Sequence, residues 1–252
     1  MANRPPGRGQ RIMADTLAGN ALQLEAVSAG YGDTVVLENL TLAIAPGETL
    51  SVIGRNGVGK STLLATILGH TTLHRGTIRL HGKDISSLPT YRRVHAGLGY
   101  VPQEREIFPS LTVLENLTVA VRPGPWTIDE VFKLFPRLEE RRTNGGNQLS
   151  GGEQQMLSIA RALVGNPTVL LMDEPSEGLA PVIVEELARA VKRLAEAGGL
   201  AMVLVEQNTR LALDIGPRAL VMDRGHVVYD GSSETLRRDA KLLEKLIGVT
   251  SK

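Results

Sequence analysis

The tightest constraint on this chain is the stretch GRNGVGKST, Gly54 to Thr62. A short apolar run, TLSVIG from Thr49 to Gly54, leads into it, and a helix-like segment, STLLATILG from Ser61 to Gly69, follows it. Strand, glycine loop and helix is the order that the phosphate-loop pattern G-x-x-x-x-G-K-[ST] requires. The stretch holds no carboxylate, histidine or cysteine that could activate a nucleophile. Its chemistry is therefore that of the main chain. Gly57 and Gly59 let successive N–H groups turn inward around phosphate oxygens. The N-terminus of the following helix adds a positive dipole end. Lys60 supplies a point charge for the β and γ phosphates, and Ser61 a hydroxyl for Mg²⁺. A chance glycine-rich turn is the alternative, and the flanking strand and helix speak against it.

The rest of the chain alternates in the same way. Strand-like runs cover Leu22 to Gly32, Leu37 to Ala45, Leu98 to Gln103, Thr168 to Pro175 and Leu200 to Asn208, with hairpins over Thr77 to Ile85 and Ala219 to Gly231. An amphipathic helix is predicted over Val182 to Gly198, and one capped terminal helix over Ser232 to Gly248. Residues from about Leu111 to Leu163 lose strand character and read as helices with polar loops. Strands alternating with helices imply an α/β fold with a mostly parallel sheet, and the helical middle, about residues 104–163, reads as an inserted subdomain of one domain spanning 21–252. Residues 1–20 are rich in Pro, Gly and Arg at first, lack a secretory apolar segment, and are expected to be a disordered leader, with Met13 as an alternative start.

Bulk properties exclude several classes. The chain has 252 residues, 42% hydrophobic, with a formal net charge of +1 and no cysteine. Nothing in that balance points to nucleic acid, and disulfides, thiolate zinc sites and cysteine nucleophiles are ruled out. No uncharged apolar run approaches the roughly 20 residues of a spanning helix. The five histidines, His70, His74, His81, His95 and His226, have no carboxylate spacing that completes a metal motif and are expected at surface or structural positions. The run Arg137 to Arg142 is read as a solvated helical face, Trp126 as packing a loop of the helical region, and Leu236, Leu242, Leu243 and Leu246 as an apolar stripe turned to the core.

Two further stretches carry chemistry. VLLMDE puts Asp173 and Glu174 at the C-terminal end of a buried strand, the edge where open α/β sheets gather ligands. Asp173 is placed to hold Mg²⁺ and Glu174 to polarise the water that attacks a γ-phosphate. LSGGEQQ, Leu149 to Gln155, begins a second helix. It reads either as a further anion site or as an ordinary capped start, with Ser150 as N-cap and Glu153 at the capping-box position.

Together these three stretches resemble the nucleotide-binding subunit of an ABC transporter, over about Leu22 to Gly248. The resemblance implies an ABC-type P-loop ATPase with a mixed sheet core, using Mg²⁺ with ATP. It implies ATP binding by Tyr31, as an adenine-stacking aromatic (a core tyrosine at a strand end being the alternative), and by Arg55, Asn56, Gly57, Gly59, Lys60, Ser61 and Thr62. Mg²⁺ would be held by Ser61, Gln103 and Asp173. Glu174 and Gln207 would be catalytic. Ser150, Gly151, Gly152 and Glu153 would serve the nucleotide of a second, head-to-tail subunit.

Two positions depart from the family pattern. Gln207 stands where the switch histidine is usual, and Ala180 where the turn after the acidic pair normally has Asp. Gln207 can still bond a γ-phosphate but carries no charge, which predicts slower or partner-dependent turnover. LVEQN, EPSEGLAP and REIFPSLTVLENL resemble the second ATPase of branched-chain amino acid uptake systems and its urea and short-amide relatives. The partners so implied are permease subunits, a homologous ATPase subunit (a homodimer being the alternative for the isolated chain) and, indirectly, a periplasmic solute-binding protein. The expected location is the cytoplasmic face of the inner membrane. DNA-repair relatives insert long coiled coils, for which the segment between Gln103 and Ser150 is too short. A regulatory ATP-binding module with negligible hydrolysis is the remaining alternative, and Glu174 argues against it.

Overall fold

The computed structural model describes residues 19–248. The expected leader as far as residue 18, including Met13, lies outside the described residues.

The centre is a six-stranded sheet. In order it runs β10 (His226–Ser232), β9 (Arg218–Asp223), β3 (Thr49–Ile53), β8 (Ala201–Val205), β7 (Val169–Asp173), β6 (Leu98–Val101). All neighbours are parallel except the β9–β10 hairpin. β3, β7 and β8 are buried at every residue, as strands covered on both faces must be, and this is why they read as continuous apolar runs. A second, antiparallel sheet has the order β2 (Thr34–Ile44), β1 (Leu22–Tyr31), β4 (Thr72–Leu80), β5 (Lys83–Asp84). The sheet core is thus mixed, as expected.

Side chains alternate across a strand, and the packing divides accordingly. Val169 and Leu171 of β7, with Val203 and Val205 of β8, face the antiparallel sheet and the helix α1 (Lys60–Leu68). Leu170, Met172, Met202 and Leu204 face the other way. There they share one core with α3 (Val113–Thr118), α4 (Ile128–Leu134), α5 (Pro136–Glu140), α6 (Gly151–Val164) and α7 (Pro181–Ala197). Trp126 packs against this same core from its loop. A third cluster joins Ile53, Ala219 and Val221 to the C-terminal helices.

Three local expectations are corrected. A short helix, α2 (Thr90–His95), lies where none was expected, because six residues are too few to display a 3.6-residue period. The hairpin expected from Thr77 begins earlier, since β4 starts at Thr72. The terminal helix is two helices, α9 (Ser233–Arg238) and α10 (Ala240–Ile247), after α8 (Thr209–Ile215). The chain breaks at Asp239 (φ −114°, ψ 83°), whose side chain accepts from Leu242 N at 2.9 Å. The apolar stripe survives the break. Leu236 is fully buried, and Leu242, Leu243 and Leu246 pack against the same cluster. The basic run is solvated as expected, with Leu138 alone buried; Arg137 lies 3.7 Å from Glu186, and Arg141 3.6 Å from Glu153. Among the described residues no helix is long and apolar enough to cross a membrane.

Candidate nucleotide site

The C-terminal ends of β3, β7 and β8 lie side by side, and each delivers one part of a cleft. β3 leads into the glycine loop. Gly59 is left-handed (φ 106°) and is the N-cap of α1, with no side chain capping the helix. A Cβ there would come within 3.1 Å of Leu37 Cδ2, so β2 lies directly against the loop. Left-handed geometry and close approach together require glycine. The consequence is a helix start whose N–H donors remain free for an anion.

Lys60, 4% exposed, folds back over the loop. Its ammonium donates to Gly54 O at 3.0 Å and Arg55 O at 3.1 Å, and lies 3.5 Å from Glu174 Oε1. Two of the ammonium's three protons are thus spent on loop carbonyls, and Glu174 stands beside it as the counter-charge. Glu174, 6% exposed, sits just past β7 with φ 45°. A left-handed non-glycine residue is strained and persists only where its surroundings hold it. Glu174 N donates to Val205 O at 2.9 Å, Lys60 meets Oε1, and Gln207 Nε2 donates to Oε2. Gln207 and Glu174, distant in the chain, are therefore in direct contact.

Ser61 Oγ donates to Asp173 Oδ1 at 3.1 Å. Burial pushes the Asp173 carboxyl up to about 6, with the neighbouring Glu174 charge adding to the rise and the Ser61 bond opposing it. The carboxylate lacks the full charge compensation that would hold it in the ordinary acid range. Gln103 lines the same cleft of about 310 Å³ together with Asn56, Gly57, Lys60, Ser61, Thr62 and Glu174. Asp173 is not itself among the lining residues and reaches the cleft through its bond to Ser61. The Ser61 hydroxyl, this buried carboxylate and the Gln103 amide oxygen are all oxygen donors, the kind that suits Mg²⁺ rather than a softer metal. Among the described residues no group of three or more histidines and carboxylates could hold a metal. His81 Nε2 instead bonds Thr168 Oγ1 at 2.7 Å, and His95 Nδ1 bonds Tyr91 O at 2.6 Å.

Other expected residues lie apart. Tyr31 is half exposed at the end of β1 and does not line the cleft. The Arg55 side chain lies towards Gly248, at the end of α10. Ser150, Gly151, Gly152 and Glu153 are likewise absent from the cleft lining. The capped start is met in both its parts: Ser150 Oγ accepts from Glu153 N, while Glu153 Oε2 accepts from Ser150 N at 2.8 Å and from its Oγ at 2.7 Å. Burial works to raise the Glu153 carboxyl, but the Ser150 bonds and Arg141 outweigh it and lower the group. Gly152 has a packing reason as well, since a Cβ would stand 2.5 Å from Ile183 Cγ2 of α7.

A family described as ABC transporter matches residues 37–177, the span from β2 through the glycine loop to the turn after Glu174. The chain belongs to the ABC transporter ATP-binding family. BraG of Pseudomonas aeruginosa, a high-affinity branched-chain amino acid transport ATP-binding protein, is 37% identical over 235 residues, 90% of this chain and 99% of BraG. LptB of Haemophilus influenzae, a lipopolysaccharide export system ATP-binding protein, is 32% identical over 90% of this chain and 97% of LptB. Among solved structures, a dimeric ATP-binding cassette in a post-hydrolysis state bound to ADP and Pi matches with a TM-score of 0.72 at 28% identity, covering 84% of this chain and 98% of that one.

This ABC ATPase also carries residues around the cleft that sequence reasoning missed. Glu177 lines the cleft and accepts from Gln103 Nε2. Glu206 is buried and accepts from Ser176. Both belong to stretches quoted for their resemblance, EPSEGLAP and LVEQN, but neither has a spacing that signals a role. Val36 of β2 also lines the cleft, because β2 packs against the glycine loop at Gly59, a long-range contact that no local spacing encodes.

Proposed function

We propose that this ABC ATPase energises a membrane importer, with branched-chain amino acids as its solute. The observation that carries the hydrolytic part is the convergence of Lys60, the Ser61–Asp173 pair and the Glu174–Gln207 pair on one cleft. The loop N–H groups and Lys60 bind the triphosphate. Ser61, Asp173 and Gln103 would hold Mg²⁺, which would supply neutralisation of the phosphate charge. The triphosphate takes over from Glu174 as the anion facing Lys60. Glu174, freed on that side, accepts a proton from the attacking water, while the Gln207 amide orients it. Tyr31 stacks on adenine, and base-tolerant stacking predicts modest selectivity for ATP over GTP.

The cleft is incomplete in one chain. Ser150 is exposed and outside it, so Ser150, Gly151, Gly152 and Glu153 serve the nucleotide of a second cassette, a homologous ATPase subunit or another copy of this chain. A groove of about 480 Å³ supports docking of permease subunits. It is lined by Phe108, Val119 and Val121, all strongly exposed apolar residues, and by Ser158 and Arg161 of α6. Ser158 Oγ and Arg161 Nη1 have no hydrogen-bond partner there. Phe108 lies five residues from Gln103 of the nucleotide cleft, so docking and hydrolysis share one loop. A chain bound to permeases in this way sits at the cytoplasmic face of the membrane, and a periplasmic binding protein hands the solute to the permeases, so that it is only indirectly a partner of this chain.

The solute rests on the 37% identity to BraG against 32% to LptB and on the LVEQN and EPSEGLAP stretches. Urea and short amides are the neighbouring reading, from the same stretches. Glu174→Gln tests the mechanism: turnover falls about 100-fold or more, ATP binding persists, and an ATP-bound dimer accumulates. Loss of nucleotide affinity without a trapped dimer counts against the role of Glu174. Uptake of leucine against urea, in cells lacking this chain, tests the solute. Unchanged leucine uptake excludes the first choice.

A further inference from the structure

β8 lies between the two strands whose ends carry the reacting groups, paired with β3 on one side and β7 on the other. Just past the strands, two more backbone bonds continue that pairing: Glu206 N donates to Val52 O at 3.1 Å and Glu174 N to Val205 O at 2.9 Å. Glu206 therefore stands where three strand ends meet. Its side chain is 1% exposed, and no cation pairs with it among the described residues. Both carboxylate oxygens instead accept from Ser176, and the Asn208 backbone adds a further hydrogen bond to the same carboxylate. Oε1 accepts from Ser176 N at 3.0 Å and Oε2 from Ser176 Oγ at 2.9 Å. A buried, unpaired carboxylate is unfavourable by several kcal/mol unless hydrogen bonds offset it. Holding a turn is all these bonds do structurally, so the turn they hold is the point of interest.

That turn begins at Glu174. It closes with Glu177 N donating to Glu174 O at 3.1 Å, and it starts from the strained φ of 45° at Glu174. We propose that Glu206 is a positioning residue for ATP hydrolysis. By gripping both donors of Ser176 it fixes the turn that aims the Glu174 carboxylate, while its own backbone presents the adjacent Gln207 amide to that carboxylate from the other side. Ser176, held by the Glu206 side chain, and Gln207, joined to its backbone, thus stand on either side of Glu174. Glu206 does not line the glycine-loop cleft, so it acts on the reacting geometry and not on nucleotide affinity.

This rests on Glu174 being the general base. The test is steady-state ATPase activity and equilibrium ATP binding of the full chain. Glu206→Ala lowers kcat about tenfold to a hundredfold, the scale of a misplaced catalytic group, and leaves KM for ATP within about twofold. Glu206→Gln restores most of the loss, because its carbonyl still accepts from Ser176 N and its amide donates to Ser176 Oγ. Ser176→Ala lowers kcat by a smaller factor, and the double variant Glu206→Ala/Ser176→Ala is no worse than Glu206→Ala alone, as for two residues in one contact. An unchanged kcat in Glu206→Ala, a Gln variant as impaired as Ala, or a double variant whose losses multiply overturns the proposal. If Glu206→Ala fails to fold, Ser176→Ala decides alone: an unchanged kcat overturns the proposal. Glu174→Gln with wild-type turnover would remove the base assignment itself. A dead Glu174→Gln beside a fully active Ser176→Ala would remove only the role of Glu206.

Discussion

Two helix starts in this molecule were expected to bind phosphate, and they are built in opposite ways. α1 begins at a left-handed glycine with no side-chain cap. Its donors are open, and the nearby Lys60 and Glu174 already form a buried ion pair. α6 begins at Ser150 with a complete capping box, Ser150 and Glu153 satisfying each other. Its first turn is closed on itself and exposed. An uncapped helix start is less stable than one with a Ser cap by a few tenths of a kcal/mol for Gly, so the open end has a small stability cost in exchange for a ready anion site. The capped end bears no such cost and must change partners to bind phosphate. The contrast is between a glycine loop left open to an anion within one chain and a Ser150 end already satisfied within its own chain, which is what the proposed two-cassette arrangement requires of them.

The largest expected effect breaks this comparison directly. Lys60→Ala abolishes ATP binding and turnover, while Ser150→Ala keeps ATP binding by the isolated chain and lowers turnover about 100-fold. Mixing the two inactive variants restores part of the activity. One mixed site then joins the intact loop of the Ser150→Ala chain to the intact Ser150 end of the Lys60→Ala chain. No recovery on mixing, in a preparation shown to exchange subunits, would mean that the Ser150 end serves its own chain.

How legible the site was follows the same division. Lys60, Ser61, Asp173 and Glu174 were readable because their roles depend on short local spacing next to an apolar strand, and local spacing survives folding unchanged. Gln207 was readable only as a departure from a family pattern; its contact with Glu174 depends on β8 lying beside β7, which no spacing encodes. Glu177 and Glu206 stayed hidden for that reason. The break at Asp239 was missed because the leucines keep one apolar face on both sides of it, so periodicity runs straight through a residue that is not helical. The fold class was legible from the alternation of buried strands and helices. The split into a parallel and an antiparallel sheet was not, since pairing is a long-range property.

A smaller effect sharpens the picture of the open end. The Asp173 carboxyl is raised to about 6 by burial, so the folded chain holds that proton more firmly than the unfolded chain does. The stabilisation is present below the ordinary carboxylate range near pH 4 and is lost as pH rises through about 6. At pH 7.5 the nucleotide-free chain carries a buried, ionised Asp173 that weakens it. Asp173→Asn should raise its stability there by up to about 3 kcal/mol, from a shift of about two units at 1.36 kcal/mol each. The gain shrinks towards pH 4. Urea unfolding of both chains across this range measures it, and an equal difference at pH 4 and 7.5 would exclude the titration of Asp173 as its source.

The smallest effect concerns a third helix start. α7 begins at Ala180, which has extended N-cap geometry (φ −65°, ψ 148°), no side-chain cap and Pro181 at the first helical position. Ile183 N and Val184 N both bond to Ala180 O, and the first turn carries no acidic residue. An aspartate at 180 needs no change of backbone: its carboxylate reaches the first-turn donors and faces the positive end of the dipole. Ala180→Asp should therefore stabilise the isolated chain by about 1 kcal/mol, read as a rise in Tm of about 2–4 °C. Affinity for ATP in the isolated chain stays unchanged, because Ala180 does not line the cleft. Turnover separates the two consequences of the departure. If Ala180 matters only as a missing cap, Tm rises and kcat does not. If it also removes a polar contact between two cassettes, kcat rises with protein concentration more steeply than in the parent chain. A Tm that does not rise would show that the uncapped end gains nothing from a cap, and α7 would then not belong with α1 as an open helix start.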